Sequence, residues 1–148
     1  MIDKEEPLAK LLISDEGWKP YAYEDTAGWL TIGVGHLIDK RKGGRISDRA
    51  ILGLLEEDIA EKSLDLDRAF PWWRALSPAR QAVLLSMAFN MGLGSLKRFT
   101  KMLAATEAGN FHDASAALLA SPLWISQVGI GRVSRLARML EVGEWLAP

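Results

Sequence analysis

Between Ser77-Pro78 and Gly92-Leu93-Gly94 runs a helical segment, Ala82-Val83-Leu84-Leu85-Ser86-Met87-Ala88-Phe89, that is apolar around almost its whole circumference. A helix without a polar face is stable only when other elements surround it, so this segment belongs in the middle of a core. Ser77 before an N1 proline is a strong helix start, and the closing glycines predict its end. Amphipathic helices are needed to pack around it, and the chain supplies them. Leu8, Leu11 and Leu12 follow i, i+3, i+4 spacing and predict a short first helix that Gly17 stops. Ser47-Asp48 caps a long helix whose stripe is Ile51, Leu54, Leu55, Asp58 and Ile59, continuing to about Leu66. Further helices are expected near 96–108, 111–120 and 132–141, divided by Gly109-Asn110, Ser121-Pro122 and Gly129-Ile130-Gly131.

Residues 18–46 obey a different period. Tyr21, Tyr23, Trp29, Thr31, Ile32 and Val34 are strand formers, and Asp25-Thr26-Ala27-Gly28 is a turn between them. Gly43-Gly44 suggests a third short strand at Arg45-Ile46. No connection is long enough for a parallel crossover, so the sheet is antiparallel. The expected class is α+β, with a small sheet segregated to one end of a mainly helical protein. Its 148 residues suit one domain, 1–148. Within it we expect a β-containing lobe at about 14–46, a connecting helix at about 47–67 and a helical lobe at about 68–148, on which the 1–13 helix packs.

Composition removes several kinds of function. The absence of cysteine excludes thiol nucleophiles, zinc ribbons and disulfides. His36 and His112 are the only histidines and form no HExxH, so no metal is expected. Gly33-Val34-Gly35 lacks the third glycine of a dinucleotide fingerprint, and no cofactor is expected. A formal charge of −1 argues against charge-driven binding to nucleic acid. No apolar run approaches a membrane span, and the polar start Met1-Ile2-Asp3-Lys4-Glu5-Glu6-Pro7 is unlike a signal peptide. The expectation is a soluble monomer made in the cytoplasm, without a membrane anchor.

Carboxylate chemistry remains. Glu16 closes the first helix and Asp25 stands nine positions later in the turn of a returning hairpin. Such a geometry can set two carboxyl groups on opposite sides of a cleft, as glycoside cleavage requires. Thr31, on the strand after Asp25, could hold a water between them, although threonine on a strand is ordinarily just a strand former. Asp58 falls inside an apolar stripe, where an unpaired buried charge would cost several kcal/mol, so a partner is expected; His36 is the candidate.

The run Glu16-Gly17 … Tyr23-Glu24-Asp25-Thr26-Ala27-Gly28-Trp29-Leu30-Thr31-Ile32-Gly33-Val34-Gly35-His36-Leu37 resembles the signature of phage-type lysozymes, glycoside hydrolase family 24. The family's E-G, eight intervening residues, then D-T-x-G-x-x-T-I-G-x-G-H, is matched without a gap. More thinly, Leu76-Ser77-Pro78 through Asn90-Met91-Gly92 is similar to the family's central helix, and Phe99-Thr100 and Arg132-Val133-Ser134-Arg135 also have counterparts. The resemblance implies a lysozyme-like fold and a muramidase without cofactor. Its substrate would be bacterial peptidoglycan, cut at the β-1,4 bond between N-acetylmuramic acid and N-acetylglucosamine with inversion.

The same resemblance implies that Glu16 is the general acid, Asp25 the second carboxylate and Thr31 the third catalytic position. It makes His36 and Asp58 a structural ion pair, sets Arg132 against the catalytic Glu, and puts Gly35, Leu37 and Phe89 along the saccharide cleft. Met102 and Ala117 depart from it, standing where T-even phage members have polar substrate contacts. Local attraction to an anionic wall would fall to Lys40, Arg41, Lys42 and Arg45 and to Arg132, Arg135 and Arg138. An endolysin or a tail-associated lysozyme would act on the periplasmic wall after holin-dependent release or delivery by a virion. The competing expectations are a catalytically silent lysozyme-fold module that binds glycan or a partner, and a chitin or chitosan hydrolase on the same scaffold.

Overall fold

The computed structural model describes residues 3–39 and 46–146. The chain forms two compact units, Met1–Gly53 and Leu54–Pro148. The division falls inside one long helix.

The first unit holds α1 (Pro7–Glu16), β1 (Lys19–Glu24), β2 (Leu30–Gly33), β3 (His36–Asp39) and the opening turns of α2 (Asp48–Ala69). Pro7 takes the first helical position of α1, where its missing N–H costs nothing, and the Gly17 N–H closes the helix on the Ile13 carbonyl at 2.9 Å. The strands form an antiparallel sheet in the order β1-β2-β3. Thr31 on the middle strand faces Tyr23 on one side and Leu37 on the other. The third strand of the sheet is His36–Asp39, earlier in the chain than expected. The reason is the turn at Val34-Gly35, flanked by positive φ at Gly33 (71°) and Gly35 (63°), which returns the chain at once. Ile46 belongs to no strand; Arg45 and the basic run from Lys40 to Lys42 lie outside the described residues.

The second unit contains the rest of α2, a short 3₁₀ helix at Pro71–Ala75, and α3 (Pro78–Leu96), α4 (Thr100–Glu107), α5 (Phe111–Leu119), α6 (Pro122–Val128) and α7 (Ile130–Val142). As the apolar segment requires, α3 is the centre of its core: Val83, Leu84, Met87 and Ala88 are fully buried among Leu66, Trp73, Leu118, Val133 and Leu140. Gly92 breaks the helical backbone as expected (φ 76°, ψ 160°), but α3 resumes beyond this kink, and one more turn carries the buried Leu96 into the core. Helix α6 was not expected. It spans only seven residues, too few for periodicity to show, yet it begins with the same Ser-Pro pair as α3. Among the described residues, no helix is long and apolar enough to cross a membrane.

The start of α3 is bound to the end of α7. Arg80 donates from Nε to the Leu140 carbonyl and from Nη2 to the Glu141 carbonyl, both at 2.8 Å, and stacks 3.4 Å over the Phe111 ring. The Ser77 hydroxyl donates to the Gly143 carbonyl at 3.0 Å. These donors satisfy carbonyls that a helix end leaves without intrahelical partners, and the cation suits the negative end of the helix dipole. Burial pushes the Arg80 pKa down, but an arginine keeps its charge at neutral pH. A Cβ at Gly143 (φ 78°) would lie 2.8 Å from the guanidinium carbon. We predict that Arg80→Ala and Gly143→Ala each destabilise the protein by about 2 kcal/mol, measured by urea unfolding. The double variant should lose clearly less than the sum, because both damage one contact.

Asp67 anchors the 3₁₀ helix: its Oδ1 accepts from Arg74 Nε at 2.7 Å and from Trp73 Nε1 at 2.6 Å. The Arg74 bond, followed by that of Trp73, holds the Asp67 carboxyl below its ordinary value. A group whose pKa falls on folding stabilises the folded chain above its unfolded pKa and loses that effect as pH drops through the folded value. Asp67→Asn is thus expected to lower the melting temperature at pH 7, with the gap to wild type closing below about pH 4.

Candidate active site

Asp25 stands in the β1–β2 turn, and its surroundings follow from the local sequence. An aspartate opening a turn can fold its side chain onto the backbone amides that follow. Here Oδ1 accepts the N–H of Ala27 at 2.9 Å and that of Trp29 at 2.8 Å, while Gly28 N–H closes the turn on the Asp25 carbonyl at 2.9 Å. The hairpin begins with Asp25 N–H donating to the Trp29 carbonyl at 2.9 Å. Both hydrogen bonds of the carboxyl fall on Oδ1; among the described residues, Oδ2 receives none.

Thr31 follows six positions later on the middle strand. It is 3% exposed and is the one buried side chain among the described residues of the first unit. A buried hydroxyl without a partner costs roughly 1–3 kcal/mol. Thr31 Oγ1 avoids this by donating to the Trp29 carbonyl at 3.1 Å.

Glu16 is the last residue of α1 and is exposed. The β2–β3 turn comes up against it: the point where a Cβ would stand on Gly35 is 3.0 Å from Glu16 Oε2 and 3.3 Å from its Cδ. Gly35 thus lacks a side chain for two reasons, the close carboxyl and its left-handed backbone. The four-residue strand β2 therefore runs from the turn that holds Asp25 to the turn that touches Glu16, with Thr31 on it.

The remaining sequence candidates are placed as follows. Leu37 is exposed on β3 beside Thr31, and His36 is exposed at the start of that strand. Asp58 is exposed on α2, where its charge helps keep the Lys62 ammonium protonated after the larger effect of Glu61. Phe89 is half exposed on α3, next to the fully buried Ala88. Arg132 on α7 donates to the Ser86 hydroxyl of α3 at 3.2 Å. Met102 and Ala117 line a cleft of about 610 Å³ in the second unit with Phe99, Trp124, Arg98 and Lys101. The Trp124 ring meets Phe99 edge-on and donates to Asn90 Oδ1 at 3.3 Å, and Trp73 is buried, so these two tryptophans are packing residues. The amides of Ala27 and Trp29 escaped the sequence reading; the Asp-x-Ala-Gly turn is the signal that would have found them.

The chain belongs to the phage lysozyme family, whose profile matches residues 14–139. Over 161 aligned positions it is 33% identical to the pre-baseplate central spike protein Gp5 of Enterobacteria phage T4. That match covers 92% of this chain and 28% of Gp5, so the chain spans little more than a quarter of this relative. It is also 28% and 26% identical to the probable T4-type lysozymes 2 and 1 of Dictyostelium discoideum, covering 92% of this chain and 94% of each. The fold is the α+β arrangement expected of a lysozyme of this family.

Gly35→Ala is predicted to lower turnover by about ten- to hundredfold, because the new methyl displaces the Glu16 carboxyl. Gly33→Ala is the control. It shares the positive φ, at 71°, but meets nothing within 4 Å. Both should cost about 1 kcal/mol of stability, and only the first should slow the enzyme.

Proposed function

We propose that the protein is a muramidase that hydrolyses the β-1,4 bond between N-acetylmuramic acid and N-acetylglucosamine in bacterial peptidoglycan. The observation that carries the reading is the strand β2 with its two turns: a carboxylate fixed through one oxygen at Asp25, the hydroxyl of Thr31 six residues on, and Glu16 against Gly35. Membership of a lysozyme family supports reading this pair of carboxyl groups as the reacting pair.

Glu16 is the general acid and gives its proton to the bridging oxygen as the bond to the anomeric carbon breaks. Asp25 is the general base and, with Thr31, holds the water that attacks the opposite face of the sugar. The outcome is inversion, for which the carboxyl groups stand roughly 6.5–9.5 Å apart when substrate and water are bound. Gly35 and Leu37, on the turn and strand that follow Thr31, contribute to saccharide binding. The protein serves phage-mediated lysis or wall penetration. The similarity to a baseplate spike protein favours a role carried by a virion over one in an endolysin.

Purified peptidoglycan tests the reading through new reducing ends and the configuration of the first products. Wild type should release α-configured muramic acid ends. Glu16→Gln and Asp25→Asn should each reduce the rate by about a thousandfold or more, with the fold intact by circular dichroism. Arg132→Ala should lose much less than Glu16→Gln. A protein that binds the wall but releases no reducing ends would be a silent module. Cleavage of chitooligosaccharides in preference to peptidoglycan would move the substrate instead.

A further inference from the structure

The backbone of Trp29 touches both members of the water-holding pair, through the N–H of one peptide group and the carbonyl of the next. Its N–H donates to Asp25 Oδ1 at 2.8 Å. Its carbonyl accepts the Thr31 hydroxyl proton at 3.1 Å and the Asp25 backbone N–H at 2.9 Å. The acid and the hydroxyl are not bonded to each other; residue 29 joins them.

We propose that the Trp29 backbone, its N–H and its carbonyl together, is a positioning element that sets the orientation of the attacking water, an inference that rests on the hydrolase reading above. Two consequences of hydrogen-bond capacity carry it. With Oδ1 held by two amides, Oδ2 is the oxygen of Asp25 left to take a proton. With its own hydrogen committed to the Trp29 carbonyl, Thr31 Oγ1 has only lone pairs to offer and acts towards water purely as an acceptor. A water between them must point one hydrogen at Oδ2 and the other at Oγ1. Its lone pairs then face away from both groups, towards the anomeric carbon.

Were the Thr31 hydroxyl free to rotate, it could donate to the water and occupy the lone pair that attacks. The Trp29 carbonyl prevents this.

In the reaction the water oxygen bonds to the anomeric carbon, and one water hydrogen passes to Asp25 Oδ2. The bond from that carbon to the bridging oxygen breaks, and its electron pair goes to the oxygen, which takes the Glu16 proton. Solvent exchange returns both carboxyls to their starting states.

The test replaces Trp29 with its α-hydroxy acid analogue, so that an ester stands where the 28–29 amide was and the N–H to Oδ1 is lost while the indole is kept. We expect kcat to fall ten- to hundredfold with KM within about twofold, and products still inverted, because ground-state binding of sugar is untouched. An ester protein of wild-type melting temperature and unchanged kcat overturns the proposal while leaving the hydrolase reading intact. Absence of cleavage by the wild type overturns that reading instead. If the ester protein does not fold, Thr31→Ser and Thr31→Val decide. Serine keeps the donated bond and the lone pairs and should retain kcat within about tenfold, whereas valine, of the same shape, should lose at least a hundredfold. Equal kcat for the two sinks the proposal.

Discussion

An aspartate that hydrogen-bonds its own turn is the constraint on which the rest of this site depends. The Asp25 side chain takes two successive amides, and that choice fixes the turn before any long-range contact forms. Fixing the turn fixes the register of β1 on β2, which sets Thr31 opposite Tyr23. The register then determines where β2 ends, and the glycine-flanked turn beyond it brings Gly35 to Glu16. A single local motif thus propagates along four residues of strand to the second carboxyl. This order of causes explains why the motif is contiguous in sequence. Each residue is placed by its neighbours, and little of the arrangement waits on the core of the other unit.

That contiguity is also why so much was legible without coordinates. Gly17, Ser47, Ser77-Pro78 and the strand formers of 18–34 are local signals, and each predicted its element correctly. The errors have physical causes of the same kind. Gly92 does interrupt the helix, but the further turn beyond it was missed; that turn forms because it gives Leu96 a fully buried position. The strand at His36–Asp39 was missed, since Val34-Gly35 looked less turn-like than the paired glycines further on. Helix α6 was lost to its shortness. Within the site, Glu16, Asp25 and Thr31 were visible as side chains, but the Trp29 backbone was not, because every residue has one and only geometry shows which of them is used.

Stability in the second unit rests on a different principle. There α3 is apolar enough to organise a core, and its start is tied down by polar contacts. Arg80 and Ser77 reach across sixty or more residues to the last carbonyls of α7, and the guanidinium is held over Phe111. This is a contact between distant parts of the chain, formed only when the helices have assembled. The carboxylate turn, by contrast, needs five consecutive residues. The first kind of interaction governs whether the unit stays folded, and the second governs what a folded molecule can do.

The helix α2 passes from one unit into the other, so a chain that carries its candidate residues Glu16, Asp25 and Thr31 before that helix keeps most of its buried apolar mass after residue 65. Natural drift can therefore tune longevity and chemistry along nearly separate stretches of gene. A lineage under heat would record its adaptation mainly in the distal half, and one facing a new cell envelope mainly in the proximal third. Recombination at the helix joining them would exchange one trait while sparing the other.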